Sequence, residues 1–176
     1  MAGKVKSAEQ QAAVYHQDCN RVWIVCHSSG TTSYYAFLLS ATGITGPFQS
    51  IAGGSASWGI GQMKFSPDGS KVANRRSFNP DWTSICDFDN ATGTISNCYE
   101  VNTGATYDNY GCSFSPNSNL LYIVSYNGSA VSQFDLLAGS PAAVQASRVN
   151  LGSPTQTGSM QIGPDGRLYM VQSSAA

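Results

Sequence analysis

Phe65-Ser66-Pro67-Asp68-Gly69 returns as Phe114-Ser115-Pro116-Asn117-Ser118, and again as Ile162-Gly163-Pro164-Asp165-Gly166. The three prolines stand 49 and 48 residues apart. A phrase that recurs at a fixed period of this length marks a repeat architecture. It sets the fold and decides which residues can meet. It does not name a reaction.

Each phrase reads as the turn of a hairpin. Proline presets φ near −65°, Asn and Asp bond their own backbone, and Gly accepts positive φ. The preceding segments, Gln62-Met63-Lys64-Phe65 and Gly111-Cys112-Ser113-Phe114, are short and half apolar. The following ones, Leu121-Tyr122-Ile123-Val124 and Leu168-Tyr169-Met170-Val171, are β-branched, aromatic or otherwise apolar and favour strand. A second hairpin follows in each unit. Ile85–Asp89 leads through Asn90-Ala91-Thr92-Gly93 into Thr94–Tyr99, and Val131–Asp135 leads into Leu137-Ala138-Gly139.

A further unit lies upstream without its proline. Fifty residues before Pro67 stands Gln17, in a polar turn between Val14-Tyr15-His16 and Val22-Trp23-Ile24-Val25. Tyr35–Leu39 then runs into Ala41-Thr42-Gly43. The units span about 13–54, 61–102 and 110–152, with a half unit at 158–173. Residues 1–11 read as an N-terminal extension and 12–176 as one repeat domain.

Tandem four-stranded units of this length are blades of a β-propeller. The expected fold is all-β: three four-stranded antiparallel blades, a half blade and almost no helix. Helical and leucine-rich repeats are excluded by the period and by the lack of 3.6-residue periodicity. A β-sandwich is the alternative, but it leaves the regular return of the turn phrase unexplained. Propellers carry roughly four to eight blades, so this fan alone does not close a ring. The reading expects either further blades in a longer parent chain or self-association of copies.

Charge excludes some partners. The 176 residues carry a net charge of −1, and only 11% are charged. No basic stripe exists beyond Arg75-Arg76, so no nucleic-acid partner is expected. No apolar run reaches the roughly 18 residues of a membrane span. Met1–Lys6 is basic but no apolar core follows, so no signal peptide is expected in this chain. Loops rich in Ser, Thr, Gly and Asn resemble those of extracellular β proteins.

Among five cysteines, Cys86 and Cys98 flank Thr92 symmetrically. Opposed strand residues put Cβ atoms roughly 4.5–5.5 Å apart, close enough for a disulfide after small adjustment. The competing reading is a pair of buried thiols. Cys19, Cys26 and Cys112 have no evident partner.

Trp23-Ile24-Val25-Cys26-His27, Tyr34–Leu39 and Thr42-Gly43 resemble the propeller region of large secreted surface proteins. These belong to bacteria that use the type IX secretion route and carry gliding-motility-type sorting domains. Met63–Gly69, Asp87-Phe88-Asp89, Thr92-Gly93, Ile95-Ser96-Asn97, Gln133–Leu136, Ala138-Gly139 and Met160–Gly166 match the same pattern, over roughly 12–172. The resemblance implies an exported, adhesion-like parent with a non-enzymatic propeller, located outside the cell or at its surface. It carries over no catalytic residues and no cofactor.

The chemistry legible in the residues is sparse. His16 and His27 are the two histidines. Pairing across the first hairpin sets them about 17 Å apart, too far to share a metal, so they read as polar residues at strand ends. Asp68, Asp165, Asp89 and Asp135 recur in turns or near strand ends, where a carboxylate bonds nearby N–H groups. No metal site is expected. Trp23, Tyr122 and Tyr169 share one repeat position and read as core.

Aromatic residues in loops are more informative. The loops joining second to third strands share a face with those joining blades. That face collects Trp58, Phe78, Trp82, Tyr107, Tyr110 and Tyr126, with Asn79, Asp81, Asp108, Asn109 and Asn127 among them. Flat aromatics beside amides and carboxylates suit a sugar ring or a protein interface; blade packing is the bland alternative. The leading expectation is a scaffold or recognition platform for a glycan or protein. A lactonase- or lyase-like propeller enzyme and a self-assembling fragment are the alternatives.

Overall fold

The structure is a computed structural model that describes residues 6–55, 60–75, 82–104, 109–125, 130–152 and 157–172. The described residues form three four-stranded sheets and one two-stranded sheet, all antiparallel and in chain order. Sheet one holds β1 (Ser7–Tyr15), β2 (Val22–Ser28), β3 (Ser33–Ser40) and β4 (Gly43–Ile51). Sheet two holds β5 (Met63–Phe65), β6 (Lys71–Arg75), β7 (Thr83–Asp89) and β8 (Thr94–Val101). Sheet three holds β9 (Asn109–Phe114), β10 (Leu120–Ser125), β11 (Val131–Asp135) and β12 (Val149–Asn150), and sheet four holds β13 (Thr157–Ile162) and β14 (Leu168–Gln172). The first strands neighbour one another in series, β1 on β5, β5 on β9 and β9 on β13. Sheets stacked about a common inner edge are propeller blades, so the expected fold class holds.

The recurring phrase works as its chemistry requires. Ser66 Oγ donates to Asp68 Oδ1 over 2.6 Å and accepts from Lys71 N over 2.9 Å. Ser115 repeats this with Asn117 and Leu120. Gly69, Ser118 and Gly166 each take a left-handed φ of 64–74°. The hidden first turn follows the same plan: His16 N donates to Arg21 O, and Cys19 takes φ 58°. Asp18 Oδ1 accepts from the amides of Asn20 and Arg21, and His16 Nδ1 accepts from Asp18 N. Gln17 thus stands where the other units have proline.

Strand alternation sends successive side chains to opposite faces, and sheet two shows the result. Val72 joins Trp23, Val25, Tyr34 and Ala36 in a core against sheet one. Its neighbour Ala73 joins Phe114, Leu121, Ile123 and Phe134 in a core against sheet three. Both faces of β6 are covered, so it is buried at four successive positions, as expected of a strand between two layers.

Three expectations change. Residues 7–11 are strand, not extension: Ser7 pairs with Ser28 and Gln11 with Cys26. Their polar composition hid a strand that needs only backbone pairing at an inner edge. The third unit inserts a helix, α1 (Pro141–Ala146), before its short last strand. Ser140 caps it by accepting from Ala143 N, Pro141 begins it, and Val144 is its buried residue. The shared position of Trp23, Tyr122 and Tyr169 is core only in part: Trp23 is 1% exposed, Tyr122 half-buried and Tyr169 55% exposed. Each faces the next sheet along the fan, and Tyr169 stands on the last one.

Candidate functional site

The starts of β1, β3, β7 and β9 and the ends of β2, β6, β8 and β10 gather at one end of the sheets, as their pairings require. The proline hairpins occupy the other end. Trp82 enters β7 and Tyr110 lies at the start of β9, both half-buried at the first end. Trp58, Phe78, Tyr107 and Tyr126 lie outside the described residues, as do Asn79, Asp81, Asp108, Asn127 and the side chain of Asn109.

Glu9 joins this end, a residue hidden while residues 1–11 read as an extension. Its Oε2 accepts from the Tyr110 hydroxyl over 3.4 Å and from Gly61 N over 3.3 Å. Burial, then the Glu9 charge and hydrogen bond, push the Tyr110 phenol up, so it stays protonated as a donor. A ring, a hydroxyl and a carboxylate thereby meet at one point. Gly61 itself lies hard against β6, where a Cβ would stand 2.0 Å from Arg75 O.

A buried polar belt holds this end together across all four sheets. Gln10 Nε2 donates to Arg75 O over 2.8 Å and to Ile60 O over 3.2 Å. Asn74 Nδ2 donates to Tyr34 Oη over 2.9 Å and sits 2.9 Å from His27 Nδ1. His27 and Tyr34 stack with centroids 4.2 Å apart. Arg75 Nη1 donates to Thr83 Oγ1 over 2.8 Å. Gln62 accepts from Cys112 N and donates to Met160 O, linking sheets two, three and four. These bonds tie neighbouring sheets to one another, so the aromatic end rests on a hydrogen-bonded floor.

Both histidines stand at strand ends, His16 just after β1 and His27 one residue before the end of β2, and both are buried. His27 is part of the belt, and His16 closes the first turn while its ring lies 6.0 Å from that of Trp23. Burial follows from polar partners that a spacing argument does not see. The recurring carboxylates bond turns: Asp68, Asp89, Asp135 and Asp165 accept from the amides of Ser70, Ala91, Leu137 and Arg167. Among the described residues, no three His, Cys, Asp or Glu side chains gather as a metal site.

Cys86 and Cys98 are joined in a disulfide between β7 and β8. Near the turn the pairing runs Asp87 to Ser96, and beyond it Ile85 to Tyr99. Asn97, with φ 48°, is the extra residue that shifts the register and brings the two cysteines opposite.

A cleft of about 410 Å³ runs along the inner edge, lined by Gln11, Tyr15, Lys64, Phe65, Pro67 and Gln161. Lys64 Nζ donates to Gln161 Oε1 across it. The cleft extends toward the hairpin end and is separate from the aromatic end.

No family model and no curated protein sequence matches the chain. Solved structures do. The holo PQQ domain of pyranose dehydrogenase from Coprinopsis cinerea superposes with a TM-score of 0.69 at 13% identity, over 98% of this chain and 44% of that one. A Bacteroides fragilis protein assigned as a 6-phosphogluconolactonase gives 0.62 at 14%, over 92% and 41%. The periplasmic gluconolactonase of Pseudomonas aeruginosa gives 0.58 at 15%, over 91% and 42%. At such identity the likeness shows the fold alone. The chain spans about two fifths of the length of each.

Proposed function

We propose that the chain is a non-enzymatic propeller module of an exported surface protein, and that its aromatic end recognises a glycan. One observation carries this reading: the Tyr110 hydroxyl on the Glu9 carboxylate, at the same sheet end as Trp82. An aromatic face beside an acceptor carboxylate suits a sugar, which offers an apolar ring face and hydroxyl edges. A protein partner would use the same groups as anchors. Export is supported by the resemblance to type IX surface proteins and by the Cys86–Cys98 disulfide, a bond that persists in oxidising compartments.

A second reading, a sugar-lactone-processing propeller enzyme, draws on the fold likeness to proteins whose names carry that activity. A base must reach its substrate. His27 is enclosed in the belt and His16 is committed to its turn, so the non-enzymatic reading is the better supported.

A glycan array probed with the chain tests the proposal, followed by titration of any positive glycan. Trp82→Ala and Tyr110→Ala each weaken binding about fivefold, the value of one stacking contact of about 1 kcal/mol, with unchanged melting. An affinity that ignores both substitutions, or turnover of a sugar lactone, overturns it.

A further inference from the structure

We infer that the outer face of sheet one docks on the outer face of sheet four of a second copy, closing two chains head-to-tail into one ring. Three registers carry the inference. Tyr15, Val22 and Leu39 pair across β1, β2 and β3. Phe65, Val72 and Cys86 pair identically in sheet two, and Phe114, Leu121 and Phe134 in sheet three. In sheets two and three this row packs against the preceding sheet. In sheet one the same row is apolar, yet Tyr15 is 68% exposed and Leu39 39%. Ile44 and Ile51, paired with Leu39 and Ser33, extend this bare face, and Ile51 is 76% exposed.

The opposite face is left bare at the other end of the fan. Trp23 points from sheet one into sheet two, and Ala73 from sheet two into sheet three. Tyr169 holds their position in sheet four, with Val171 beside it on the same face, and both are exposed. The two bare faces are therefore the two halves of a contact this chain already makes between its own sheets. A second copy supplies both halves at once. Its four described sheets, added to the first four, make eight, six of them four-stranded and two two-stranded, inside the usual range of about four to eight blades. A heterologous contact whose rotation closes gives a ring rather than a filament.

The docking faces are distinct from the end carrying Trp82 and Tyr110, so failure here leaves the glycan reading standing. Light scattering and sedimentation of the 176-residue chain over a wide concentration range test the inference. The expected species has twice the 18.6 kDa chain mass. Tyr15→Asp and Tyr169→Asp alter exposed side chains on the two faces, and each should raise the dissociation constant at least about tenfold with unchanged circular dichroism. Mixing the two variants leaves one native contact per pair and restores a dimer. A monomer at every concentration overturns the inference. Filaments, a dimer that ignores either substitution, or a mixture that stays monomeric overturn it as well.

Discussion

The six-membered ring of Trp23 lies 2.7 Å from where a β-carbon on Gly93 would stand, and its Nε1 donates to Asn90 O over 3.0 Å. One side chain of sheet one thus caps the β7–β8 turn of sheet two. Gly93 also holds φ 77°. Gly93→Ala meets both penalties: roughly 1–2 kcal/mol for a left-handed residue and about 1–3 kcal/mol for overpacking. The expected result is a melting temperature lowered by roughly 5–15 °C. Adding Trp23→Ala removes the clash, so the double variant loses less than the sum of the singles. Strict additivity in a double-mutant cycle would show that the ring and the glycine do not interact.

Cys19 stands where the other proline-phase turns have Gly69, Ser118 and Gly166, and it carries φ 58°. A left-handed non-glycine residue costs roughly 1–2 kcal/mol, part of which glycine returns as chain entropy. Cys19→Gly should therefore stabilise by about 1 kcal/mol, raising melting by roughly 2–4 °C. A lower melting temperature would mean that the turn is held by Cys19 contacts instead.

How much of this was legible in sequence depended on what each residue answers to. The repeat phrase is local chemistry, so Pro67, Asp68 and Gly69 marked their turn without the fold, and Gln17 could be found by period alone. Asn97 could not be seen as a bulge, yet the symmetric spacing of Cys86 and Cys98 still named the right pair. Glu9 was invisible, since its role comes from Tyr110, 101 residues away. Tyr169 was misread as core because repeat position says which way a side chain points, not whether another sheet stands there. Both histidines were read from spacing, whereas their burial is set by Asn74, Tyr34 and Arg21.

The Cys86–Cys98 bridge closes a short loop, with a sequence separation of 12. The chain-entropy treatment gives about 3 kcal/mol for a loop of this size. Denaturation in urea with and without reductant should show a lower midpoint on reduction, and Cys98→Ser should reproduce it. An unchanged midpoint in both cases would exclude a stabilising bridge.

Acid should weaken the fold through its turn carboxylates. A backbone hydrogen bond from Asn20, with Arg21 beside it, lowers Asp18 from 3.8 to about 2. Hydrogen bonds from Lys71 and from Thr92 lower Asp87 and Asp89. For Asp68 burial acts to raise the value, and bonds from Ser66, Ser70 and Ser118 outweigh it. A carboxylate with a depressed folded pKa stabilises above its unfolded value, and that contribution is lost as pH falls through the folded one. Urea midpoints should thus hold steady above the ordinary value of 3.8 and fall toward pH 2. Asp87→Asn should flatten part of that slope. A midpoint that rises on acidification would reverse the sign and refute the assignment.

The three free thiols should separate by rate. Cys19 is exposed in its turn, whereas Cys26 and Cys112 are buried. Burial pushes the Cys112 thiol up to about 12, with Arg75 and Lys64 only partly opposing it, and burial also raises Cys26. The thiolate is the reactive form, so both buried groups are doubly protected, by access and by ionisation. Labelling the native protein at mildly alkaline pH, without reductant, should modify Cys19 quickly. Cys26 and Cys112 should follow only at the rate of opening. Denaturant should release both, and denaturant with reductant should release Cys86 and Cys98 as well, identified by peptide mass. Fast native labelling of Cys112 would contradict its place between sheets two and three. Labelling of Cys86 or Cys98 in denatured, unreduced protein would contradict the bridge.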